Sequence, residues 1–352
     1  MPASARDTEP QVEAVFQLPL APAGMTVAPG GNFIISVSFD EKPQNRVIEV
    51  TKKGESKPFP TEAISQAAEG EPLTLDAVQG MQTDKDGVIW MLDSGHRGEV
   101  SPKIIAWDAG HKKLHRILNL SQPAVLPGSN LNDLAVEADH PFIYVTDQAS
   151  GADAAIIVLD RGTGLARRVL QGHPSVVPVI GLDLMIDGRK IQSRRLDGTV
   201  ADPQGGVKPL ALDRHGEWLY YGPMRSLKLY RIKTEHLRNP ALSADKLAGL
   251  VEEYSAKPLC AGITLDSKNN IYVADLGSKA IGMIAAGTKQ YRVLASDPRF
   301  LWPDGLCFGV DGKLYFFSNA RNARPHGAAT VTEPVSNLLF RMQTPASGRV
   351  GD

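Results

Sequence analysis

One phrase recurs along the chain and limits what it can fold into: a small residue, alternating apolar positions, a polar turn, a β-branched and aromatic run, and a polar stop. It is clearest as Gly80 to Asp84, the turn Lys85-Asp86-Gly87, and Val88 to Asp93. It returns as Gly262 to Asp266, Asn269-Asn270 and Ile271 to Asp275, and again as Gly305 to Phe308, Asp311-Gly312 and Leu314 to Asn319. Weaker copies begin at Gly24, Asp133 and Pro209. Each copy reads as a β-hairpin, with Asp-Gly or Asn-rich turns supplying the positive φ angles. A further strand follows every copy, over 46–51, 103–108, 155–160, 227–232, 280–285 and 336–342.

Four-stranded units of this kind are the signature of propeller blades, which must stack on one another until the ring closes. The chain of 352 residues is therefore expected to be all-β: one six-bladed β-propeller over 1–352, with inner strands starting near 24, 80, 133, 209, 262 and 305. The last copy ends with its third strand near Met342, so Val12 to Leu18 is expected to complete that blade and join the chain ends. A pair of β-sandwiches would need fewer hairpins of one phrasing. A short helix is expected only within Ala241 to Tyr254. The Gly- and Pro-containing stretch 171–206 is long for a connector and reads as an insertion between blades three and four, a candidate lid.

Charge narrows the partners. Lys and Arg number 38 against 39 acidic residues, so no excess points to nucleic acid or an anionic membrane. No apolar run approaches the ~20 residues that span a bilayer. Met1 to Pro10 lacks the apolar core of a secretory signal, which leaves open both a cytoplasmic chain and one exported with its signal removed. Cys260 and Cys307 form neither a disulfide framework nor a metal-ligand spacing; buried thiols are expected, with a single bridge as the alternative.

In a propeller the first strand of each blade lines the channel and the second returns to the same rim. Ala23, Gln79, Asn132, Lys208, Ala261 and Asp304 stand just before the six starts. At or near the second-strand ends stand Ser38, Asp93, Asp147, Tyr221, Asp275 and Asn319. So many carboxylates and amides at equivalent positions point to a small-molecule site, although Asp and Asn also end strands by capping local amides. Lys208 is expected either to pair with Asp304 or another carboxylate, or to hold a developing oxyanion. Asp304 and Asp147 are the candidate acid–base residues. Rim loops add His96, Arg97, Arg225, Arg321, Arg324 and His326, which suit a polar or anionic organic ligand. No Gly-x-Ser-x-Gly elbow, phosphate loop or His-Glu-x-x-His helix is present. An oxygen-rich ring with Asn132 and Asp304 as ligands would take a hard cation, Ca²⁺ first, and no organic cofactor is indicated.

Several of these segments resemble the major royal jelly/yellow protein family, in the bacterial branch often described as dopachrome tautomerase-related. They are Val78-Gln79-Gly80-Met81-Gln82, Trp90 to Gly95, Leu131-Asn132-Asp133-Leu134, Tyr144 to Asp147, Leu219 to Pro223, Trp302-Pro303-Asp304-Gly305 and Ser318-Asn319. The resemblance runs from about residue 12 to 342 and implies the same six-bladed propeller. It implies no single activity, since relatives include dopachrome-converting proteins, amine binders and nutritive proteins. A more distant resemblance to the regucalcin/gluconolactonase propellers implies a divalent metal held by a Glu before the first inner strand, an Asn before the third and an Asp from a later blade. Asn132 matches that Asn, whereas Ala23 stands at the Glu position.

Three functions follow as expectations. The first is a lactonase-like hydrolase, with a Ca²⁺-like ion or Lys208 polarising the carbonyl and Asp304 or Asp147 activating water. The second is a tautomerase with Asp304 as base and Lys208 holding the enolate. The third is a non-catalytic module binding an amine or another small ligand, with Gln79, Asp93, His96, Asn132, Tyr221, Asp275, Asn319 and Arg321 as contacts.

Overall fold

Strand periodicity becomes six four-stranded antiparallel sheets arranged around a channel. The computed structural model describes residues 11–66, 73–95, 100–194, 200–201, 205–320 and 336–351. Inner strands are Pro22–Val27, Val78–Thr83, Leu131–Val136, Val207–Leu212, Cys260–Leu265 and Pro303–Phe308. Each passes through a tight turn into a second strand, which ends at Val37, Asp93, Asp147, Pro223, Asp275 and Ser318 respectively. The N-terminal strand Val12–Leu18 pairs antiparallel with Asn337–Met342, from Val12 opposite Met342 to Leu18 opposite Asn337. The sixth blade is thus built from both ends of the chain, as the sequence implies.

A sheet exposed on both faces would leave its apolar residues wet, so each blade buries them against the next. Six buried clusters follow the ring, one between each consecutive pair of blades. Alternation along single strands makes this possible. Tyr220 packs toward blade five while Tyr221, its neighbour, packs toward blade three. Fully burying residues of this kind stabilises by roughly 1.5–3 kcal/mol each.

The region 241–254 contains the short helix Ala244–Ala248, begun by the Ser243 hydroxyl, which accepts from the Lys246 amide. Two further short helices, Glu62–Ser65 and Thr234–Arg238, lack the apolar periodicity that would have marked them in the sequence. Cys260 and Cys307 are both buried thiols, and no disulfide joins them. Among the described residues, no helix is long and apolar enough to cross a membrane.

The insertion 171–206 carries two small hairpins, Met185–Ile186 with Arg189–Lys190 and Ser193–Arg194 with Val200–Ala201. Its Leu184, Ile186 and Ile191 pack on Met224, Ala261, Leu276 and Trp302, at the rim of blades four to six. Asp187 meets Lys279 of blade five at 2.6 Å. At the opposite end the C-terminal segment crosses beneath the channel. Its Gly351 carbonyl accepts from Thr26 Oγ1 at 3.1 Å, and its amide donates to Phe308.

Candidate functional site in the channel

In every blade the pairing between inner and second strand slips near the start of the inner strand. The slips fall between Pro22 and Gly24, Val78 and Met81, Leu131 and Leu134, Val207 and Leu210, Cys260 and Ile263, and Asp304 and Cys307. A bulge of this kind leaves a residue unpaired and re-aims its side chain. Here Gln79, Asn132, Asp133 and Lys208 fall within the slips and Asp304 borders one, and all five line the channel. The channel has a cavity volume of about 90 Å³, room for a short column of waters.

The charged centre has three members. Lys208 Nζ donates to Asp304 Oδ2 at 2.7 Å and to the Ala261 carbonyl at 2.7 Å. Both partners are largely buried, with side chains 15% and 11% exposed. Asp133 completes the group. Burial pushes its carboxyl up to about 7, Lys208 opposes that rise and Asp304 adds to it. The Asp133 carboxylate accepts from the Leu134 amide at 2.9 Å, and Asp304 Oδ1 accepts from the Gly305 amide at 2.9 Å.

Close approach between blades explains the glycines of the repeat. A Cβ on Gly80 would lie 2.8 Å from Asp133 Oδ1, and one on Gly262 would lie 2.9 Å from Asp304 Oδ1. These glycines leave space for the carboxylate of the next blade.

Sequence reasoning did not single out Asp133. The available signal was its register: Gly24, Gly80, Gly262 and Gly305 begin the corresponding copies, and a carboxylate replaces that small residue only here.

The acids at the second-strand ends go elsewhere, contrary to the expectation that they converge on the channel mouth. Asp93 accepts from the amides of Asp76, Ala77 and Gly95 and meets Lys103 at 3.1 Å. Asp147 accepts from the amides of Asn130 and Ala149 and pairs with Arg168 at 2.6 Å. Asp275 accepts from the Ser278 amide and the Tyr291 hydroxyl. Asp93 and Asp147 staple the loop that enters the inner strand to the second strand, and Asp275 ties down the turn that leaves its own. Because side chains alternate, a residue opposite a core position such as Val78 or Leu131 cannot also face the axis.

Tyr221 likewise lies within the sheet opposite Leu210, not at its end, and its hydroxyl meets Ser175 Oγ of the insertion at 3.0 Å. Burial pushes that phenol up. Asn319 donates to the Pro22 carbonyl at 2.7 Å, linking blades six and one. Among the named residues, Gln79, Asn132, Lys208 and Asp304 come together, whereas Asp93, Asp147, Tyr221, Asp275 and Asn319 do not line the channel. Arg225 is buried and donates through Nε to the Leu182 carbonyl of the insertion. His96, Arg97, Arg321, Arg324 and His326 lie outside the described residues.

Fold and site together define a six-bladed β-propeller with a charged cluster at bulges of its inner strands. The Major royal jelly protein family matches residues 77–327, more than half of the chain. The chain belongs to that family. Among solved structures, a luciferin-regenerating enzyme aligns with TM-score 0.60 at 13% identity, covering 97% of this chain and 98% of its own. Regucalcin from Agrobacterium tumefaciens, a calcium-binding protein, aligns with TM-score 0.57 at 15% identity, covering 96% and 95%. A gluconolactonase from Xanthomonas campestris aligns with TM-score 0.56 at 12% identity, covering 95% and 90%. At these identities the likeness concerns the fold. No curated protein sequence matches the chain.

A divalent metal does not fit the cluster. The sequence reading gave Asn132 and Asp304 as ligands for a Ca²⁺-like ion, which needs six to eight oxygens around it. The ammonium of Lys208 already holds one Asp304 oxygen and the Ala261 carbonyl, so a second cation there would meet it at close range. Asn132 instead directs its amide toward Gln148 Oε1 at 3.5 Å. Among the described residues, no three His, Cys, Asp or Glu side chains are grouped to hold an ion.

Proposed function

We propose that the chain is a small-molecule enzyme that hydrolyses a lactone or ester by acid–base catalysis at the Lys208–Asp304–Asp133 cluster. The observation that carries this reading is an ammonium fixed between Asp304 and the Ala261 carbonyl beside a second channel carboxylate. An ammonium has three donors. Two are used here, and the third is available to a substrate carbonyl.

In the proposed reaction that carbonyl sits on Lys208, and Asp133, as carboxylate, takes a proton from a water in the channel. The resulting hydroxide adds to the carbonyl carbon, and Lys208 holds the oxyanion with help from the amides of Asn132 and Gln79. As the tetrahedral adduct collapses, the ring or ester C–O bond breaks and the leaving oxygen takes the proton from Asp133. A carboxyl poised near neutrality suits both transfers. Asp304 positions Lys208 through the 2.7 Å contact to its ammonium. The insertion over the rim of blades four to six would act as a lid that limits access.

The same base and cation would also move a proton next to a carbonyl without water, so dopachrome-type tautomerisation is the second reading. A panel of aldonolactones, aryl esters and dopachrome, with and without chelator, tests both. Lactone turnover that survives chelator and is lost in Asp133→Asn supports hydrolysis, while dopachrome decay lost in the same variant supports tautomerisation. Tight calorimetric binding with no turnover of any substrate would leave a non-catalytic binding module.

A further inference from the structure

We infer that the rim beneath the insertion is a subsite for an apolar arm of the substrate, and that the indole N–H of Trp302 donates to an oxygen carried on that arm. This rests on the hydrolytic reading for the reacting carbonyl and adds the substrate class: an ester or lactone with an apolar, oxygen-bearing substituent.

Trp302 is 7% exposed, and among the described residues its Nε1 has no hydrogen-bond partner. A buried indole N–H ordinarily finds an acceptor, and leaving it without one is destabilising. The ring stands two residues ahead of Asp304 and packs with Ala261 and Leu276 of blade five. Ala261 joins this apolar patch to the charged centre. Its side chain belongs to the patch, while its carbonyl accepts from Lys208 at 2.7 Å. A carbonyl held on Lys208 would therefore have an apolar surface beside it, with one donor set into that surface. Apolar walls with a few placed polar groups are how small-molecule sites fix orientation.

Here the patch is covered by Leu184, Ile186 and Ile191 of the insertion. The insertion is not held equally along its length. Its roots are pinned to the loop after the second strand of blade four. The Val179 amide donates to the Arg225 carbonyl at 2.9 Å, the Met224 amide to the Gly206 carbonyl at 3.0 Å, and Arg225 Nε to the Leu182 carbonyl at 2.9 Å. Its hairpin tip is tied to blade five by Asp187 on Lys279, with the Asp187 side chain 62% exposed. Solvated pairs of this kind hold weakly. The aliphatic side chains of the tip thus fill the subsite on slight polar support, and they offer Trp302 no acceptor. An arm that replaces them keeps the apolar contact and adds the missing acceptor.

The test uses three ketones that cannot be hydrolysed: butan-2-one, 4-phenylbutan-2-one and 4-(4-methoxyphenyl)butan-2-one. Their affinities for full-length wild type, Trp302→Phe and Asp187→Asn are measured by NMR titration. Wild type is expected to bind the phenyl ketone at least about tenfold more tightly than butan-2-one, because a ring leaves water. The methoxy ketone should bind about threefold to tenfold more tightly again, through one hydrogen bond. Trp302→Phe keeps the ring surface and should lose the methoxy preference alone. Asp187→Asn loosens the tip and should bind both arylketones about twofold to fivefold more tightly than wild type, with butan-2-one unchanged. Equal affinity of the three ketones in wild type, no binding of either arylketone, or a methoxy preference that survives in Trp302→Phe overturns the inference. If Trp302→Phe does not accumulate as folded protein, the exposed Asp187→Asn decides: tighter arylketone binding supports the inference, and unchanged or weaker binding overturns it. Turnover is never read, so these affinities stand or fall separately from hydrolysis.

Discussion

Asp133→Asn should make the protein more stable at alkaline pH while removing its activity. Ionised Asp133 sits in a buried channel facing another carboxylate, and its pKa rises from 3.8 to about 7. That rise corresponds to about 4 kcal/mol of resistance to ionisation. Solvent screening in a cavity open to water brings the expected figure to about 2–3 kcal/mol. The folded state holds this proton more tightly than the unfolded chain does. Wild-type stability therefore carries no penalty from Asp133 below 3.8, loses ground as pH rises to about 7, and is level above that. Asparagine cannot ionise, and its carbonyl oxygen can still accept from the Leu134 amide. The expected difference in melting temperature, variant minus wild type, is near zero at pH 4 and about 3–4 °C in favour of the variant at pH 8. Differential scanning calorimetry across that range measures it, and kcat/KM on any accepted substrate should fall by ~10² or more. A variant less stable than wild type at pH 8, or a difference that does not change with pH, would refute the buried-carboxylate argument.

The remaining expectations concern neighbours. Asp147→Asn weakens the contact to Arg168 and should lower the unfolding free energy by about 1–3 kcal/mol in urea titration, with kcat of the folded fraction unchanged. Tyr221→Phe removes only the bond to Ser175 and should cost about 1 kcal/mol, read as a small shift of the urea midpoint with KM unaltered. Gly262→Ala places a methyl group 2.9 Å from Asp304 Oδ1, so the carboxylate must move off Lys208; kcat should drop several-fold with less effect on melting than Asp147→Asn.

Fold and site differ in how much of each was legible. Blade boundaries followed from turns and alternating strands, both local signals, and the strands 103–108 and 155–160 occur where the sequence places them. Closure by Val12–Leu18 was also legible, because the last copy ends with its third strand near Met342 and the apolar segment ahead of the first copy can supply the fourth. The site was harder to read. Asp93, Asp147 and Asp275 share a motif position because they tie down loops or turns, and a repeated structural task looks the same in sequence as a repeated functional one. Asp133 carried the opposite disguise, since it is the one carboxylate at a repeat position that glycine otherwise fills in four of six copies.

Sequence by itself determined the six blades, their order, the closing strand and the residues standing where inner strands begin, all of which rest on local periodicity and turn chemistry. Tertiary structure alone decided which polar side chains meet. A bulge turns Asn132, Asp133 and Lys208 toward the axis, while strict alternation turns Asp147 to the loop ahead of its blade and Tyr221 to Ser175 of the insertion. The distance between Lys208 on blade four and Asp304 on blade six is set by ring closure, which no local stretch of sequence encodes.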